Sequence, residues 1–166
     1  MNNYESERTA RREEFRPPLR GCVAKDLRMA GAIEHCYVDT FASIAADVYY
    51  SLILAPVNRS LSDLFDDLAT EELDQFRILG ELMLALGGDA ALRTVPRGRW
   101  NRTQRRGSDG VGAAQVSLCV AQKEQNIDRY ETLMAHTGDR VVRSVLAGLL
   151  GRERRMYERL CVFLQG

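Results

Sequence analysis

Apolar residues return every three or four positions in four long runs that fill most of the chain. Nowhere do they settle into the alternation of a half-buried strand. Stripes with this period are buried by packing helix against helix, so the pattern predicts an all-helical domain. The first run, Val23, Leu27, Ala30, Ile33, Tyr37, Phe41, Ile44, Val48 and Leu52, has to stop before Pro56, whose ring cannot continue a helix. Ser60, with Asp63 three residues on, is the expected N-cap of a second helix. That helix carries Leu61, Leu64, Phe65, Leu68, Phe76, Leu79, Met83 and Leu86, and Gly87-Gly88 ends it. A third run holds Val116, Val120, Ile127, Tyr130 and Met134, and a fourth holds Val142, Val145, Leu146, Leu149, Met156, Leu160 and Leu164. Between these two, His136-Thr137-Gly138-Asp139 supplies a terminating glycine and an N-cap aspartate.

The connections sort the helices. Short turns join the first to the second and the third to the fourth, which makes two antiparallel hairpins. A long connection, about residues 88–111, joins the hairpins and contains Pro96, Trp100 and the arginines at 97, 99, 102, 105 and 106. Two hairpins linked by one long crossover are the connectivity of a ferritin-like antiparallel four-helix bundle. At 166 residues the chain has the size of one domain. Residues 1–20, mixed in charge and carrying Pro17-Pro18, read as an arm, and residues 21–166 as the bundle.

Lys and Arg number 23, and so do Asp and Glu, so the net charge of zero gives no electrostatic ground for a nucleic-acid partner. No apolar run approaches the roughly 20 residues that span a bilayer. The first residues lack the apolar core of a signal peptide, and the expected location is the cytoplasm. Cys22, Cys36, Cys119 and Cys161 are far apart and form no CxxC pair, which gives a zinc knuckle or rubredoxin-type site nothing to build on. They are expected as reduced, mostly buried thiols.

Polar residues that fall on the apolar stripes are the candidates for function. Glu72 sits between Leu68 and Phe76, with Gln75 one turn on. Glu124 lies between Val120 and Ile127, and Glu153 between Leu149 and Met156. An ionised carboxylate in an apolar interior costs several kcal/mol unless it is paired, coordinates a metal or takes up a proton. Three helices that each aim a carboxylate inward are therefore expected to bring them together.

The segment Leu68–Leu79 with Leu86-Gly87-Gly88-Asp89 resembles the second helix of rubrerythrin-type ferritin-like proteins. The stretch from Glu124 through Tyr130 resembles their third helix, and Leu149–Glu153 their fourth. The resemblance runs over about residues 25–165 and is closer in spacing than in identity. In that family two iron or manganese ions are held by one Glu from each of two helices and a Glu-x-x-His pair from each of the others. Carried over, Glu72, Glu124 and Glu153 stand at carboxylate positions, while Gln75 and Met156 stand where histidines belong. The first-helix acid falls on Thr40, with Asp39 one residue away. The resemblance thus implies a reduced site of Glu72, Glu124, Glu153, Gln75 and Asp39 that holds one iron or manganese ion. Di-metal oxidase or peroxidase activity is not expected from so depleted a set of ligands, and no small-molecule substrate can be identified. The alternative is a metal-free bundle for assembly or partner binding, a homodimer paired through its helix faces. In it the glutamates are protonated or bonded to Gln75, Thr40 and Tyr130. Elsewhere, His35 and Asp39 are spaced as a surface pair, His136 suits a helix C-terminus, and the arginines around Trp100 read as a solvated, ion-paired crossover.

Overall fold

A computed structural model describes Leu19, residues 22–92 and residues 111–165, and every regular element among them is a helix. α1 spans Leu27–Leu54, α2 Arg59–Ala85, α3 Val111–His136 and α4 Arg140–Gln165. Local chemistry sets most of the ends. Asp26 caps α1 by accepting the Met29 N–H at 2.9 Å, and α1 closes just before Pro56. The cap of α2 is Asn58, which accepts from the Leu61 N–H at 3.0 Å, and not Ser60 as the sequence suggests. Ser60 already lies in the first turn, because an asparagine two residues earlier offers an equally good acceptor. Gly87, with φ of +88°, ends α2 in a paired arrangement. The Gly88 N–H bonds the Met83 carbonyl at 2.9 Å and the Gly87 N–H bonds the Leu84 carbonyl at 3.2 Å. Asp139 caps α4 through the N–H groups of Val141 at 2.8 Å and Val142 at 3.1 Å, as its position in the sequence implies. The expected arm at 1–20 and the arginine-rich part of the 88–111 connection lie outside the described residues, apart from Leu19, which is buried against the core.

α1 packs along α2 and α3 along α4, while α1 also faces α3 and α2 faces α4. Cross-helix partners give the directions. Asp39 meets Arg129 and Asp47 meets Cys119, so α1 and α3 run antiparallel. Arg159 bonds Glu71 at 2.6 Å and Asp67 at 3.0 Å, tying the C-terminal part of α4 to the N-terminal half of α2. Asp26, Leu86, Thr137 and Val142 gather at one end of the molecule. Gly112 lies against Leu61 at the other end, so α2 finishes and α3 begins at opposite ends. No helix among the described residues is long and apolar enough to cross a membrane.

The core is divided. One apolar cluster, with Ile33, Leu79, Leu82, Leu146 and Leu149 at its centre, fills the end where α2 finishes. A smaller one, built on Leu54, Phe65, Leu68, Met156 and Leu160, fills the other. Polar residues sit on the core-facing positions between them. The second half of α1 accounts for part of this layer. Its expected stripe through Val48 and Leu52 turns outward, and Thr40, Asp47, Ser51 and Leu54 turn inward. From Phe41 to Val57 Asp47 is the only charged residue, so apolar residues lie on every side of the helix and cannot define its inner face. Polar contacts with the other helices decide it, among them the Ser62 hydroxyl donating to the Ser51 carbonyl at 2.7 Å.

Candidate functional site

α3 buries Val116, Lys123, Asn126, Tyr130 and Leu133, with Cys119 half-buried on the same seam, a spacing of threes and fours that keeps one line toward the core. Lys123 is therefore carried to mid-bundle, where its side chain is 1% exposed. Its Nζ donates to Glu72 Oε1 of α2 and lies 3.6 Å from Glu153 Oε2 of α4. Glu72 Oε1 also accepts from the Ser43 hydroxyl of α1 at 2.7 Å. On the α1 side the Cys119 thiol donates to Asp47 Oδ1 at 3.7 Å. One ammonium is thus set among three carboxylates drawn from three other helices.

The electrostatics follow from burial. Desolvation raises the Asp47 carboxyl well above its ordinary range, and the Glu72 charge adds to the effect. Glu153 is raised for the same first reason and then by Glu72, against the opposing pull of Lys123 and a hydrogen bond with Asn126. For Lys123, burial favours the neutral amine. The combined charge of Glu72, Glu153 and Asp47 outweighs it and holds the ammonium charged above the ordinary lysine range. Tyr130, buried beside Thr40, is pushed up by burial and then by Glu153. Glu72 Oε2, Glu153 Oε2, Asp47 Oδ2 and both amide atoms of Gln75 are buried without a hydrogen-bond partner among the described groups.

Of the residues singled out in the sequence, Glu72 and Glu153 meet at this cluster, and Gln75 is buried one turn along α2. Glu124 does not face the core. It is exposed and accepts from the Tyr157 hydroxyl at 3.1 Å. The expectation fails by one residue because Lys123 and Asn126 look polar and hide the true seam, while Val120 and Ile127, only half-buried, imitate it. In α1 Thr40 is the residue that turns inward. Asp39 stays half-exposed and pairs with Arg129, not with His35. These groups line a shallow groove between α1 and α3. His136 Nδ1 lies 2.7 Å from the Thr132 carbonyl in the last turn of α3, the structural place anticipated for it. Of the four free cysteines Cys36 is buried, Cys119 and Cys161 are half-buried and Cys22 is exposed, so the expectation of mostly buried thiols holds only in part. Burial pushes the Cys36 thiol up to about 11, which makes it a poor nucleophile.

Lys123, Asp47 and Ser43 are the members of the cluster that sequence reasoning missed. A signal for Asp47 is present, since it is the only charge in seventeen residues otherwise free of charge. For Lys123 the signal is its place on the 116–119–123–126–130–133 line, visible once a lysine is admitted to a core stripe.

Of the ligand set implied by the family resemblance, Glu72, Gln75 and Glu153 are buried, Asp39 is half-exposed and Glu124 is exposed. Among the described residues no three His, Cys, Asp or Glu side chains are grouped so as to hold a metal ion. The place between Glu72 and Glu153 is taken by the Lys123 ammonium. Comparison with protein-family models, with curated proteins and with solved structures finds no match.

Proposed function

We propose that this chain is a ferritin-like bundle that works without a metal, as an assembly or partner-binding module that pairs with a second copy of itself. The observation that carries the reading is the Lys123 ammonium buried between Glu72 and Glu153, which meets the charge of the core acids without an added ion. The ferritin-like connectivity is supported by α2 ending and α3 beginning at opposite ends of the bundle, a separation that one long crossover would bridge.

Pairing is supported by the outer face of α1. Val48, Tyr49, Leu52, Ile53 and Val57 are all exposed there, and no exposed charge interrupts them between Phe41 and Val57. Such a patch, on the order of 400 Å², is in the range of the largest apolar patches that monomers leave in water. It is half or more of the roughly 800 Å² each partner buries in a standard interface. Two copies related by a two-fold axis would meet apolar surface on both sides with no like charges opposed. The arginine-rich segments of the same chain offer poor complementarity to it.

The test is the metal content of protein purified without chelators from cells supplied with iron and manganese. No bound iron or manganese, and a melting temperature unmoved by chelator, are expected. One or two equivalents of metal that vanish in a Glu72→Ala/Glu153→Ala variant would overturn the reading and restore the carboxylate metal site.

A further inference from the structure

We infer that the centre of this bundle is a cation site whose occupant is the protein's own Lys123 ammonium, so that removing the amine opens the site to a cation from solution. The inference rests on the metal-free reading and gives it a mechanism. Lys123 enters from α3 on a stem buried along its length, and its Nζ reaches Glu72 of α2 and Glu153 of α4. Asp47 of α1 is buried in the same polar layer, its Oδ1 accepting from the Cys119 thiol of α3 at 3.7 Å.

An acidic cluster alone would carry little. Here a charged side chain already sits inside it, and the buried oxygens Glu72 Oε2 and Asp47 Oδ2 make no hydrogen bond. The Ser43 hydroxyl of α1 donates to Glu72 Oε1 at 2.7 Å, so this acid is held by a group other than the lysine. Truncating Lys123 leaves the acids in place, removes their counter-charge and leaves a channel the width of an alkylammonium stem. Uncompensated negative charge at the end of such a channel suits a short alkylammonium, which needs no chelating set of carboxylates.

The experiment compares wild type, Lys123→Ala and Lys123→Ala/Glu72→Gln, each melted alone, with Mn²⁺ and with ethylammonium. Wild type should respond to neither cation. Lys123→Ala should melt lower by roughly 10 °C or more, and ethylammonium should return about half of that loss. The gain should disappear in the double variant. A Lys123→Ala protein that ethylammonium does not stabilise, including one that stays unfolded in its presence, overturns the inference and leaves the metal-free reading standing. Rescue that survives in the double variant places the ion elsewhere and also overturns it. If wild type itself is stabilised by Mn²⁺ through Glu72, the inference and the metal-free reading fall together.

Discussion

A lysine side chain 1% exposed keeps its charge only where nearby anions offset the loss of water, and around Lys123 three carboxylates do so. Those acids differ in what they contribute as pH changes. Asp47 and Glu153 have folded pKa values raised by burial, so each holds a proton more tightly in the native state than in the unfolded chain. Their stabilisation is complete below the ordinary carboxylate range and drains as pH rises through the raised values. Lys123, also raised, keeps its contribution until pH passes the ordinary lysine value and loses it beyond. All three therefore tilt stability the same way, toward lower pH. Replacing Asp47 by Asn puts a permanently neutral group of the same shape in its place. The difference in unfolding free energy between Asp47→Asn and wild type, measured by denaturant melts, should shift in the variant's favour from pH 5 to pH 8, by up to about 1.4 kcal/mol per pH unit. A difference that stays flat would mean Asp47 ionises without cost in the fold.

At the scale of the elements, helix ends are where single residues decide most. The end of α2 needs both of its glycines for different reasons. Gly87 has φ of +88°, a conformation that costs any other L-residue about 1 kcal/mol. A Cβ on Gly88 would come within 2.9 Å of the Ala30 Cβ and 3.2 Å of the Met83 carbonyl oxygen. Ala30 is buried in α1 and its methyl cannot swing aside. Gly87→Ala should lower the melting temperature by a few degrees and Gly88→Ala by more, because the second must push α1 away from the end of α2. Circular dichroism melts settle the order, and equal losses would show that the α1 contact yields easily. The helices themselves were legible from sequence because their causes are local. The period of Leu61 to Leu86, Pro56, Gly87 and Asp139 each act within a turn or two of chain. Ser60 lost the capping role to Asn58 for the same local reason, a competing acceptor nearby.

For the whole molecule, the apolar outer face of α1 is the feature that reaches beyond one chain. If two copies pair there, a charge placed in the middle of the patch should separate them. Leu52, 68% exposed, is the most open of these residues and makes no core contact to lose. Leu52→Arg is expected to leave the fold and its melting cooperativity intact while light scattering shows a dimer becoming a monomer. Wild type that runs as a monomer at high concentration would remove the pairing and leave the patch for another partner.

What the sequence determined by itself is the four helices among the described residues, most of their ends and the presence of acids at core depth. Glu72 and Glu153 were readable there because each sits between apolar residues spaced by whole turns. What only the tertiary structure decided is how far each helix is rotated about its own axis. In α3 a turn of one residue, about 100°, separates a buried Glu124 from a buried Lys123. Neither arrangement is preferred by α3 alone. Lys123 faces inward because Glu72, Glu153 and Asp47, far away in the chain, leave negative charge that an added glutamate would worsen and an ammonium relieves. In α1 the apolar residues surround the helix, and Thr40, Asp47 and Ser51 turn inward because the other helices present polar groups there. Periodicity encodes the burial of apolar surface, whereas the placement of a buried charge depends on partners that only the fold brings near.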